Sequence, residues 1–102
     1  MNKYRDKSDF EINKAVAISR GLSKLDDYWE VGGKVCVDEW TFDPCNNPAD
    51  AMPIILDNKI DLTHLVGDMV CAKHKEYWCI RKNPYRAGCE VYLLMKDAEN
   101  EK

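Results

Sequence analysis

The chain has 102 residues, the size of one domain, and its apolar fraction of 45% is that of a folded protein rather than a disordered one. Its net charge of −3 comes from charges of both signs, which disfavours non-specific nucleic-acid binding because such binding needs a basic face, and no nucleic-acid partner is expected. A run of about 18 apolar residues is absent, so no membrane partner is expected.

The N-terminal segment predicts a capped helix and no export signal. Met1 to Asp6 lacks an apolar stretch, so no signal peptide is expected and the cytoplasm is the expected compartment. Residues 1–7 and 99–102 are polar ends that we expect to fray, within a single domain over 1–102. Ser8 followed by Glu11 fits a capping box, which predicts a helix over 9–20 that Gly21 ends.

A β-hairpin is predicted next, around the Gly32-Gly33 pair. Strand residues lie on both sides of the glycines, at 28–31 and 34–37. Trp40 to Phe42 continues the strand character, and Asp43-Pro44 then stops it, since proline has no N–H to give to a sheet.

The stretch from Phe42 to Ile55 has the most unusual composition in the chain. Asn47 is placed to cap a helix that Pro48 opens, and Asp50 favours the positive end of the helix dipole. Pro53 predicts a short first turn, a bend, and a second helical piece from 54 to about 58. The stretch is either a capped turn alone or a polar loop presented for recognition.

The second half predicts another hairpin and a final helix. Residues 60–66 fit either a short strand or a helical turn. The strands at 69–72 and 77–80 flank a turn expected near His74-Lys75, which would place Cys71 roughly opposite Cys79.

Asn83-Pro84 repeats the helix start and leads into an apolar stripe at helical spacing. Gly88 on that stripe indicates either a close backbone approach or simple tolerance of glycine. Two hairpins and three amphipathic helices predict an α+β fold, with one small antiparallel sheet and the helices packed on it.

The five cysteines are expected to be free thiols, and no metal site is expected. Their number is odd, and their spacing lacks the close pairs that zinc requires. His64 is alone beside leucines, which is more typical of a structural histidine than of a base or ligand. We therefore expect no catalytic residues, no cofactor and no metal.

Several segments together resemble the NinX-type proteins of tailed phages and prophages. They are Ser8 to Lys14, Phe42 to Ile55, Asn58 to Ile60 and Asn83 to Ala87. The chain departs from the resemblance at Met52, where relatives often carry tryptophan. The resemblance implies an alpha-beta-alpha sandwich of the small phage domains, a phage origin and the cytoplasm of an infected bacterium. It names no activity and no substrate.

The sequence favours a non-catalytic protein that binds a host or phage protein, and a homo-oligomer is compatible with it. The expected contact residues are Trp40, Asp43, Asn46, Asn47 and Asp50. Among them, Asn47 and Asp50 are expected to bond backbone N–H groups of the following helix, whereas Asn46 is expected to point outward. The alternative is a small-ligand-binding protein or weak enzyme that uses the cluster Asp43, Asn46, Asn47 and Asp50.

Overall fold

A computed structural model describes residues 3–21, 29–32, 34–37 and 40–100, without the side chains of 29–31, 37 and 40. The described elements are three helices and six strands, which confirms the α+β class. The helices are α1 (Asp9–Ser19), α2 (Pro48–Asp57) and α3 (Pro84–Asn100). The strands are β1 (Trp29–Val31), β2 (Lys34–Val37), β3 (Trp40–Phe42), β4 (Asp61–His64), β5 (Val70–His74) and β6 (Tyr77–Arg81).

The strands form two antiparallel three-stranded sheets in the described chain, in the orders β1-β2-β3 and β4-β5-β6. The prediction that the two hairpins form a single sheet is therefore wrong. Each predicted hairpin is present, but each pairs with its own third strand, β3 in the first sheet and β4 in the second. The ambiguous residues 60–66 thus supply a strand over 61–64, followed by a 3₁₀ turn at Val66–Asp68.

The longest helix, α3, is the element around which the others pack. It contacts β5 and β6 of the second sheet as well as α1 and α2, while α1 also contacts β2 of the first sheet. The core lies between these elements, with Ile12, Ile54, Ile55 and Val91 at most 1% exposed. Gly88 leaves room for Ile55 of α2 to pack against α3, since a Cβ there would lie 2.6 Å from Ile55 Cδ1.

The helix starts agree with the sequence. Ser8 and Glu11 form the predicted capping box of α1, and Asn47 accepts the N–H of Ala49 at 3.0 Å to cap α2. The helix α2 continues through Pro53 as one element, where we expected two pieces. Pro53 has no N–H to give to the carbonyl four residues earlier, yet the helix runs on to Asp57.

The N-terminal residues 3–7 form turns, and Tyr4 packs against the core with its hydroxyl 2.5 Å from Asp97 Oδ2. At the other end α3 extends to Asn100. The expected fraying at 1–7 and 99–102 and the single-domain assignment stay predictions. No described helix is both long enough and apolar enough to span a membrane.

Candidate functional site

The predicted polar stretch sits where the first turns of all three helices meet. Asn47 caps α2, Asn83 caps α3 through the N–H groups of Tyr85 and Arg86, and Asp9 opens α1. Asparagine supplies both an acceptor for a free helix N–H and two donors for a neighbour. Side chains that cap one helix can therefore bond the next, and they do so here.

Asp43 is the buried centre of this cluster. It is 7% exposed, and its Oδ1 accepts the side-chain amides of Asn13 at 2.8 Å and Asn46 at 3.2 Å. Asn13 is fully buried in α1 and accepts the N–H of Cys45 at 3.0 Å through its own side-chain oxygen. The two residues thus fasten α1 to the segment that leads into α2.

Asp50 lies at the start of α2 as predicted, but its partner differs from the prediction. We expected it to bond N–H groups of the helix that follows. Its Oδ2 instead accepts the backbone N–H of Asp43 at 3.0 Å and the side chain of Asn47 at 3.3 Å. The reason is the turn at 44–46, which folds Asp43 back over the first turn of α2.

Asn46 is exposed, yet its side chain is bonded within the chain. Its Nδ2 donates to Asp9 Oδ2 at 3.1 Å as well as to Asp43, and its Oδ1 accepts from Asn83 at 3.3 Å. Asn83 also donates to the carbonyl of Cys45. Asn46 was expected to point outward, and in addition to being exposed its side chain links the starts of α1, α2 and α3.

A buried group of charges lies beside the cluster. Glu90 is fully buried in α3, and its carboxylate accepts from Arg81 at 2.8 and 3.0 Å and from Arg86 at 2.9 Å. Arg86 continues to Asp9 at 2.6 Å and to the carbonyls of Tyr4 and Lys7. Burial opposes the charge of Arg86, but the bonds to Asp9 and Glu90 outweigh it and raise its pKa.

These contacts decide what the cluster can do chemically. In the described part of the chain, every buried side-chain nitrogen and oxygen atom has a hydrogen-bond partner. The described surface has four open grooves. None of the four is lined by Asp43, Asn46, Asn47 or Asp50. The predicted site residues thus come together, apart from Trp40, whose side chain lies outside what the structure describes.

Comparison with known proteins assigns the chain to a family. A family model described as "Bacteriophage P22, NinX" matches residues 3–96. The chain belongs to the NinX family. No curated protein and no solved structure matches it. The resemblance read from the sequence is therefore confirmed, and it includes the segments that carry Asp43, Asn46, Asn47 and Asp50.

The cysteines of this NinX family member are all free. The predicted approach of Cys71 to Cys79 is wrong, because the hairpin turn falls at Lys75-Glu76 and pairs Cys71 with Ile80 and Ala72 with Cys79. The two thiols therefore point to opposite faces of the sheet. Burial, followed by the charge of Glu90, raises the pKa of Cys79 to about 12, so that thiol stays protonated near neutral pH.

Three residues of the site were missed by the sequence reasoning, namely Asn13, Arg86 and Glu90. Arg86 and Glu90 are four positions apart, a spacing at which opposite charges meet on one helix face. That signal was available, but it is more often found on an exposed face. The sequence does not show that α3 is buried from Ala87 to Leu93 and takes the pair with it.

Among the residues that the structure describes, no group of three or more histidine, cysteine, aspartate or glutamate side chains could hold a metal ion. His64 is exposed at the end of β4, and the ring Nδ1 of His74 lies 3.1 Å from the carbonyl of Lys59. Neither histidine therefore joins the polar cluster of this NinX family member.

Proposed function

We propose that this member of the NinX family is a small accessory phage protein that acts without catalysis. It binds a host or phage protein in the cytoplasm of the infected bacterium. The observation that carries this proposal is an uncovered sheet face with a tryptophan that is 56% exposed, Trp78.

That face belongs to the second sheet, and we call it the outer face. The register places Asp61, Lys73 and Trp78 in one row across β4, β5 and β6, and Thr63, Cys71 and Ile80 in the next. The alternate residues Val70, Ala72 and Cys79 are buried, and the Cys79 thiol lies 3.6 Å from the carbonyl of Ala87 in α3. Helix α3 therefore covers the inner face, while the six outer-face side chains stay exposed or partly exposed.

The composition of the outer face suits a protein partner. Tryptophan gives more binding energy than most residues when a partner excludes water from it. Leu65 and Val66 extend the apolar surface beyond the end of β4, and Val66 is 93% exposed. Aromatic side chains are enriched at protein interfaces relative to the rest of the protein surface.

The alternative, a small-ligand-binding protein or weak enzyme that uses Asp43, Asn46, Asn47 and Asp50, has less support. The side chains of these four residues already bond one another and the helix starts. A ligand would have to break those bonds, and lost bonds of buried groups are expensive. We therefore place the contact surface on the outer face and assign the polar cluster to holding the helices together.

The test compares two threonines. Tagged protein is expressed in phage-infected bacteria, and captured proteins are identified by mass spectrometry. The variant Thr63→Arg adds a large charge to the outer face, and Thr41→Arg adds the same charge to an exposed position of β3 in the first sheet. We expect a stoichiometric partner with the native protein and with Thr41→Arg, and its loss with Thr63→Arg.

Two outcomes would contradict the proposal. One is a partner that both variants retain equally, which would move the contact surface away from the outer face. The other is a metabolite, rather than a protein, that remains bound through purification and is released when Asn46 or Asp43 is replaced. Circular dichroism should first show that both threonine variants are folded, so that loss of a partner is not caused by unfolding.

A further inference from the structure

The strand β6 ends the second sheet, and its free side borders a groove. In the described chain β6 pairs only with β5. The groove beside it has a volume of about 550 Å³ and runs along residues 76–81, and Leu94 of α3 and Arg5 also line it. A free strand edge with room beside it can accept another strand.

The register shows which backbone groups face the groove. The pair His74 and Tyr77 closes the two-residue turn, so it is a hydrogen-bonded pair, and bonded pairs alternate along an antiparallel ladder. Trp78 and Ile80 therefore direct their N–H and C=O groups away from β5. The carbonyl of Ile80 accepts a bond from the side chain of Arg81 at 2.6 Å, which agrees with this direction.

We propose that β6 pairs with β6 of a second copy of this chain, antiparallel, about a twofold axis at Cys79. Trp78 then lies opposite Ile80 of the second copy, and Ile80 opposite its Trp78. The two three-stranded sheets become one sheet of six strands. A carbonyl has two lone pairs, so Ile80 can keep its bond to Arg81 and still accept one from the second copy.

The side chains along β6 are complementary to themselves in this register. Glu76 and Lys82 flank the strand, both are exposed, and neither makes an ion pair with another described residue. About the axis at Cys79, each Glu76 meets a Lys82 across the interface, so two opposite-charge pairs form. On the inner side each Arg81, which stays bonded to Glu90 of its own chain, lies opposite a Tyr77.

The neighbouring registers lack this complementarity. Outward-facing residues can also pair about an axis at Trp78 or at Ile80. An axis at Trp78 sets Glu76 against Ile80, and an axis at Ile80 sets Glu76 against Pro84. Opposite charges and aromatic–β-branched pairs directly across a ladder each stabilise it. Only the axis at Cys79 provides both, and this commits the edge to a second copy rather than to an unrelated strand.

Charge exchange tests the pairing and its register together. Sedimentation velocity over a range of concentrations should show a dimer for the native protein. Glu76→Lys or Lys82→Glu alone turns two attractive pairs into repulsive ones, which should weaken dimerisation about thirtyfold. The double variant Glu76→Lys with Lys82→Glu should restore dimerisation. The control Lys73→Glu reverses a charge on the outer face away from the edge and should leave dimerisation unchanged.

A backbone variant gives a second, independent measurement. Ile80→Pro removes an N–H that faces the groove and not β5, so the hairpin can keep its ladder while the intermolecular bond is lost. We expect a folded monomer. The proposal is overturned by a native protein that is monomeric at every concentration, or by a double charge exchange that fails to recover what the single changes lose. Because the readout is self-association, these outcomes do not depend on any captured partner.

Discussion

Replacing the buried carboxylate Glu90 by glutamine should destabilise the fold strongly. The glutamine side chain keeps the shape of glutamate but has one acceptor oxygen and no charge. In the native protein, two carboxylate oxygens accept three N–H groups, two from Arg81 and one from Arg86. After the change, the amide NH₂ faces at least one guanidinium donor, and neither arginine keeps its charge partner at that position.

The magnitude follows from the burial of the three side chains. Glu90 is fully buried, and the side chains of Arg86 and Arg81 are 12% and 26% exposed. Removing one partner of a buried pair costs about 3–5 kcal/mol. Arg86 keeps Asp9, and Arg81 can regain some water, so we expect the low end, about 3 kcal/mol.

Urea unfolding followed by circular dichroism measures this loss. With an m-value of about 1.5 kcal/mol/M, the midpoint should fall by about 2 M. Glu99→Gln is the matched control, since Glu99 lies on the same helix and pairs with Lys96 on the exposed surface. Its effect should stay below about 0.5 kcal/mol. A loss below about 1 kcal/mol for Glu90→Gln would refute the reasoning that this carboxylate holds two arginines in place.

Four further predictions concern packing, the polar cluster and the thiols. Gly88→Ala should destabilise by about 1–2 kcal/mol despite a better helix propensity, because its Cβ meets Ile55, and Ile55→Ala should cost less in that background than alone. Asn46→Ala should lower the free energy of unfolding by about 1 kcal/mol, since three side-chain bonds are lost. An unchanged urea midpoint would show that those bonds contribute nothing to stability. Burial raises the pKa of the Cys79 thiol from 9.0 to about 12, so between these pH values the unfolded chain loses this proton more readily than the folded one. The free energy of unfolding should therefore fall as pH rises from about 9 towards 12, and Cys79→Ala should flatten that decline. With the native protein, a thiol reagent should label the half-buried Cys71 first and reach five equivalents only after denaturation.

Short-range patterns in the sequence were sufficient to predict the helices and hairpins and to recognise the family. Ser8, Asn47 and Asn83 each cap the helix that they were predicted to cap, because a side-chain oxygen next to a free helix N–H acts within three residues. Hairpins were located by the same kind of short-range signal, a turn between two alternating segments. The quoted segments were specific enough to identify the NinX family, which covers residues 3–96.

Tertiary structure alone decided how these elements meet. Sequence could not show that the two hairpins form separate sheets, because β3 and β4 are short and their pairing depends on which strand edge lies nearby. The register of β5 and β6 pairs Cys71 with Ile80 rather than with Cys79, and this places Cys71 and Cys79 on opposite faces of the sheet. Asn46 gained its three partners only because three helix starts converge, and Glu90 became a buried charge only because α3 lies at the centre of the fold. Such contacts join residues up to 93 positions apart, as between Tyr4 and Asp97, and the physical chemistry of either neighbourhood does not encode the other.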